Sequence, residues 1–189
     1  NWRLQEITAT ATANGDALTL AGTKCFVLDA AQAKVLVASV MLDGVARLVL
    51  IQADQIPSGA LAREVVIDET RRSYTLQLDG ISVPQSQLLD GADFVALEQA
   101  AMLLLVAEMS GGLAGVLHVI IDYLTTRKQF DQYIGSYQSL KHPTVQILLS
   151  MEACRSHLYH AATLMAAGAA EAAEEAVRMA KAQGSEAFA

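Results

Sequence analysis

Arg127 and Gln138 are the residues whose types and spacing best suit chemistry on a ligand. They lie in the stretch Arg127-Lys128-Gln129-Phe130-Asp131-Gln132-Tyr133-Ile134-Gly135-Ser136-Tyr137-Gln138-Ser139-Leu140-Lys141-His142, which joins two long helical patterns and is too aromatic and too specifically polar for an ordinary connector. A guanidinium is planar and permanently charged, and its fork of donors suits the paired oxygens of a phosphate better than a lysine ammonium does. Gln138 follows 11 positions after Arg127, near a predicted helix start. Unpaired backbone N–H groups at such a start add partial positive charge. Together these residues read as a corner that grips an anionic ligand.

Other ionisable residues lack such a context. Glu108 stands alone in an apolar helical pattern and reads as a hydrogen-bonded structural carboxylate, because buried charges are paired. His118, His142, His157 and His160 have neither a nucleophile partner nor metal-ligand spacing, so no metal site is expected; His142, near a helix start, is placed to approach a phosphate. The Glu171 to Glu175 cluster reads as a solvated helix face. Cys25 and Cys154 are far apart and read as reduced core residues. A net charge of −7 without a lysine or arginine run excludes a nucleic-acid surface. The first residues, Asn1 to Glu6, show no apolar signal region, and a cytoplasmic protein entered in the middle of its chain is the expectation.

The elements that must position the corner follow from periodicity. Over 189 residues, 53% hydrophobic and 17% charged, the chain can bury a sizeable core. Runs at Ile7–Ala13, Leu18–Leu28, Val35–Met41, Ala46–Gln52, Arg63–Asp68 and Ser73–Leu78 are short and β-rich, and Asn14-Gly15-Asp16 is a hairpin signal. Such strands predict a small antiparallel β-barrel or sandwich domain over residues 1–90. Beyond Val83-Pro84 the pattern turns helical, giving an α+β fold whose residues 91–189 form a long-helix domain of four-helix-bundle type. Helices are predicted from about Asp93 to Arg127, from Ser136 or His142 to Ala167, and from Ala169 onward. Ala100 to Ile121 is almost wholly apolar and long enough to span a bilayer, but Glu108 and the polar continuation to Arg127 favour a buried bundle helix and no membrane.

Arg-x-x-Phe, a short turn, and Ile-Gly-x-Tyr-Gln-x-x-Lys-His resemble the flavin-contacting segment of acyl-CoA dehydrogenases. Gly15-Asp16-x-Leu18-x-Leu20-x-Gly22-x-Lys24-Cys25-Phe26-Val27 resembles the family's strand pair along the flavin ring, and Val83-Pro84-x-x-x-Leu88-Leu89 its strand-to-helix crossing. Glu152-Ala153-Cys154-Arg155, Tyr159-His160-Ala161-Ala162 and Met179-Ala180-Lys181 resemble turns of its later helices, so the similarity covers nearly the whole chain. The resemblance implies FAD as cofactor, with Arg127, Gln129, Phe130 and Gln138 reaching a flavin held mainly by a neighbouring chain, and Phe26, Val27 and Leu28 beside the isoalloxazine. It also implies an acyl-CoA substrate, a homodimer or dimer of dimers, and an electron-transfer flavoprotein as a possible partner.

The same resemblance marks departures. Asp131 stands where the family has Gly, Leu28 where it has Thr, and Met102 where many relatives carry Arg. The family's glutamate base lies for most members beyond the last helix read here; a minority places it at the position of Ala101, so no catalytic residue is assigned. The implied activity is α,β-dehydrogenation of an acyl-CoA thioester. Alternatives on the same fold are a non-catalytic partner subunit of a heteromeric dehydrogenase and a flavin monooxygenase or oxidase. A helical interaction domain without cofactor would leave the corner unexplained.

Overall fold

A computed structural model describes residues 6–89 and 94–189 and divides the chain into two units, Asn1–Phe94 and Val95–Ala189. In the first, alternating apolar residues and two-residue turns give strands β1 (Thr10–Asn14), β2 (Ala17–Ala21), β3 (Thr23–Leu28), β4 (Val35–Leu42), β5 (Val45–Gln52), β6 (Leu61–Arg63), β7 (Ser73–Gln77), β8 (Ser82–Pro84) and β9 (Leu88–Leu89). A six-stranded sheet runs β8-β2-β1-β4-β5-β9 and a three-stranded one β3-β7-β6. Leu18, Leu20, Val40 and Ile51 of the large sheet and Leu76 of the small one join one buried cluster, so the unit is a sandwich.

The turns carry the expected chemistry. The β1–β2 hairpin closes on Gly15-Asp16 with Gly15 at φ +60°, and the β4–β5 hairpin on Asp43-Gly44 with φ +50° and +76°, the left-handed pair that a tight hairpin favours. The run predicted as one strand from Leu18 to Leu28 is broken at Gly22, φ +109°, where the chain leaves the large sheet for the small one. A Cβ there would lie 3.1 Å from the Ala9 Cα. Because β3 departs, β4 returns beside β1 in the same direction, the one parallel pairing among the described strands, which the sequence predicts to be antiparallel. The run predicted from Arg63 to Asp68 pairs only as far as Arg63; past the Glu64 N–H to Ser73 carbonyl bond (2.9 Å) the segment leaves the ladder and turns on the Asp68 carboxylate, which accepts from the Thr70 N–H at 3.0 Å.

The second unit holds helices α1 (Phe94–Thr126), α2 (Gln138–Ala166) and α3 (Ala170–Phe188), with a hairpin of β10 (Lys128–Gln129) and β11 (Gln132–Tyr133) between the first two. Val106, Leu113 and Leu117 of α1, Met151 and Cys154 of α2, and Val177 and Ala180 of α3 form its core. Gly184 lets the three helices close: a Cβ there would meet Met109 Cε at 3.2 Å and Cys154 Sγ at 3.4 Å. The α2–α3 bend is a Schellman motif, with Gly168 at φ +69°, its N–H bonded to the Met165 carbonyl, and the Ala169 N–H bonded to that of Leu164. Pro143 is the sixth residue of α2, where its ring leaves the Ser139 carbonyl without the usual N–H partner.

One expectation about α1 needs correction. Its apolar composition predicts burial all round, yet within this chain only the stripe Val106, Ser110, Leu113 and Leu117 is buried, while Leu104, Val116, Val119 and Ile121 are exposed. By length and composition the helix could cross a membrane. Glu108, expected to be a hydrogen-bonded structural carboxylate, lies on the exposed side of the helix. Apolar content sets how much surface a helix can bury, but only packing partners decide which face does so.

Two outcomes follow from this packing. Gly184→Val should overpack the three-helix contact and destabilise the chain by about 1–3 kcal/mol, read as a lower midpoint in thermal unfolding. In the β unit, the Gly22 N–H (2.7 Å) and the Gln77 amide (2.6 Å) hold the Asp79 carboxyl below its ordinary value of 3.8. A carboxylate lowered on folding contributes stability above its unfolded value and loses it as pH falls through the lower folded one. The urea midpoint should therefore drop as pH falls below about 3.8, and Asp79→Asn should flatten that drop.

Candidate functional site

The corner is built by the short hairpin and the helix ends on either side. Lys128 pairs with Tyr133 and Gln129 with Gln132, and the two-residue turn between them, Phe130-Asp131, holds φ at +54° and +63°. Left-handed backbone costs an L-residue about 1–2 kcal/mol, least for Asp and Asn and more for a bulky side chain. Asp131 therefore accepts a conformation that glycine would adopt freely, whereas Phe130 does not settle there by preference. Its ring is 87% exposed, so its own chain does not use it.

Backbone bonds fix the rest of the corner. The Arg127 N–H donates to the Tyr123 carbonyl (3.0 Å), and its carbonyl accepts from the Ile134 N–H (2.9 Å). Gly135 is required by close approach, since a Cβ would lie 2.8 Å from the Leu124 carbonyl oxygen. The Tyr137 hydroxyl donates to the Gln129 carbonyl (3.1 Å), tying the hairpin to the residue before α2, which opens on Gln138. The Arg127 guanidinium lies 5.5 Å from the Tyr123 ring centroid and the Lys128 ammonium 4.7 Å from that of Tyr133. Among the described residues Arg127 has no carboxylate partner. Arg127, Gln129, Phe130 and Gln138 are all exposed, on the hairpin or at the helix ends that flank it. Of the histidines, His118, His142 and His160 are exposed and His157 is partly so.

The β unit carries a second group. Phe26 sits at φ +56°, where the β3–β7 register shifts between Lys24 and Val27, and is 68% exposed. Its N–H donates to both Glu64 carboxylate oxygens, at 3.2 and 3.3 Å. The same carboxylate accepts from the Ser73 hydroxyl (2.5 Å) and the Thr75 hydroxyl (2.6 Å), which hold it below the usual carboxylate range. Val27 is partly buried and Leu28 exposed opposite Ser73. A cleft of about 660 Å³ opens beside this strand, with Lys24, Cys25, Phe26, Val37 and Ser39 in its wall. Lys24 Nζ donates to Ser39 Oγ at 3.0 Å, and burial pushes the ammonium pKa down.

Sequence reasoning gave Lys24, Ser39 and Glu64 no role. Lys24 falls inside the motif ending in Phe26, but no spacing rule ties Glu64 to a strand 38 residues earlier. Cys25, expected in the core, is exposed because the shifted register turns it outward. Cys154 is buried as expected, and burial raises its thiol pKa against a Ser110 hydrogen bond that lowers it.

Residues 96–189 match the family model described as acyl-CoA dehydrogenase, C-terminal domain. The chain is 31% identical over 124 residues to the acyl-CoA dehydrogenase FadE12 of Mycobacterium tuberculosis, covering 62% of this chain and 32% of that protein. It is 35% identical over 89 residues to the L-prolyl-[peptidyl-carrier protein] dehydrogenase of a Serratia species, covering 43% of this chain and 22% of that one. Among solved structures, the glutaryl-coenzyme A dehydrogenase in complex with glutaryl-CoA superposes with a TM-score of 0.81 at 26% identity, over 96% of this chain and 49% of that chain. The chain thus spans about a third or less of these curated relatives and about half of this solved one. A β sandwich followed by long helices, with this domain match and a superposition over nearly its full length, places the chain in the acyl-CoA dehydrogenase family.

Proposed function

We propose that this chain belongs to an FAD-dependent dehydrogenase that acts on acyl-CoA thioesters, removing hydrogen across the α,β bond. The observation that carries this reading is a pair of exposed phenylalanines at positive φ, one in each unit, on the two segments that resemble flavin contacts. The residues fit such a group. Phe26 and Val37 offer apolar walls to a planar ring, Leu28 lies exposed on the same strand, and Arg127 and Gln138 present donors suited to a pyrophosphate. By the same resemblance the corner serves a flavin in a neighbouring chain, which makes the working protein a homodimer or a dimer of dimers. The proposed setting is cytoplasmic, with an electron-transfer flavoprotein as electron acceptor.

FAD supplies, when bound, the acceptor for a hydride. Phe26, Val27 and Leu28 would orient the ring of this chain's own flavin, and Arg127, Gln129 and Gln138 would hold the phosphates of a neighbouring chain's. Asp131 sets a carboxylate beside those phosphates, where like charge opposes binding. Ala101 carries no group able to take the α-proton, and Met102 no cation. Leu28, Met102 and Asp131 favour a second reading, a partner subunit that completes another chain's site. The similarity to an L-prolyl-[peptidyl-carrier protein] dehydrogenase supports a carrier-protein-bound acyl group as a further candidate substrate.

The test is titration of the full chain with FAD, followed by flavin fluorescence and absorbance after gel filtration. The proposal predicts a yellow protein that retains flavin. Arg127→Ala should weaken binding by about tenfold or more, as expected for loss of a charged hydrogen bond, and Asp131→Gly should tighten it. A chain that keeps no flavin overturns the flavoprotein reading. Dehydrogenase activity that appears only on mixing with a second chain supports the partner reading.

A further inference from the structure

We propose that Glu64 is a positioning residue whose carboxylate fixes the left-handed bulge at Phe26 and so sets the aromatic ring in the wall of the β3–β4 cleft. At the first position of such a bulge glycine is the default, because a Cβ makes the left-handed conformation costly. Here a phenylalanine holds the place, and the register shift between Lys24 and Val27 leaves its N–H outside the β3–β7 ladder. Glu64 supplies the missing partner. Its two oxygens take that N–H at 3.2 and 3.3 Å, and the hydroxyls of Ser73 and Thr75, at 2.5 and 2.6 Å, lock the carboxylate onto β7.

Each of these bonds is charge-assisted and so stronger than its neutral counterpart. The four groups therefore act as one clamp spanning β3, the end of β6 and β7. Without it, Phe26 would relax toward ordinary extended backbone, and the period-two alternation of a strand would swing its ring to a different face. The ring is 68% exposed and lines the cleft, so the clamp serves the cleft wall rather than the core. The ligand such a wall suits is a planar aromatic ring system bearing acceptors, which the Lys24 ammonium, bonded only once here to Ser39, can meet. The inference rests on reading Phe26 as facing the flavin, but the clamp has a signature that needs no flavin.

The experiment uses the full chain with Glu64→Ala, the conservative Glu64→Gln, and each in a Phe26→Ala background. Ligand-free, the Phe26 amide should be protected from hydrogen exchange in the unaltered chain and lose that protection at least tenfold in Glu64→Ala. With FAD as probe, Glu64→Ala should weaken binding at least tenfold, Glu64→Gln by less, and neither should weaken it further once Phe26 is alanine. Additive losses in the two backgrounds, or a Phe26 amide whose exchange is unchanged, overturn the positioning role. Absence of FAD binding by the unaltered chain overturns the flavin reading alone, and the amide exchange then decides the clamp. Should Glu64→Ala fail to fold, Thr75→Val carries the same comparison by removing one hydroxyl from the carboxylate.

Discussion

Left-handed backbone at two phenylalanines is the constraint on which the rest turns. An L-residue with a bulky side chain at φ near +55° costs about 1–2 kcal/mol, and nothing in a strand or a two-residue turn demands that the residue be aromatic. At Phe26 and Phe130 the chain bears that cost and then leaves both rings exposed, so neither ring repays it by burial in its own unit. Strain retained without packing gain is a mark of function more than of stability. Both rings occur on segments that resemble, in sequence, flavin-contacting segments of acyl-CoA dehydrogenases.

Each strained residue is over-determined by its surroundings, but in different ways. Around Phe130 the restraint is mostly backbone: a tight hairpin, the close approach of Gly135 to the Leu124 carbonyl, and the Tyr137 hydroxyl on the Gln129 carbonyl. Around Phe26 it is electrostatic, through a carboxylate that gathers a backbone N–H and two hydroxyls. Gly22 and Gly184 do related work elsewhere, each allowing an approach that a Cβ would crowd. The two units thus reach comparable ends through local devices that operate independently.

Much of this was legible in the residues. Asn14-Gly15-Asp16 announced its hairpin, and the three helices begin and end within a few residues of their predicted limits. Less visible were features that depend on partners distant in sequence. Gly22 lay inside a run that reads as one strand, and only the second sheet shows why the strand stops there. The edge strand β8 ends on Pro84, a residue that suits an edge because its missing N–H would otherwise leave a gap in the ladder. Glu64 gave no signal, since Phe26, Ser73 and Thr75 share no spacing with it. The exposed face of α1 was hidden for the opposite reason: composition reports apolar content without saying which side is covered.

The central proposal is that the strained aromatic segment of each unit contacts a flavin. Its most direct measurement is a titration of the isotope-labelled full chain with FAD, followed by backbone amide chemical shifts. The account predicts that Phe26, Leu28, Arg127 and Gln138 shift together along one saturating curve with a common dissociation constant. Saturable binding that leaves these amides in place, or that moves those of one unit only, would contradict it.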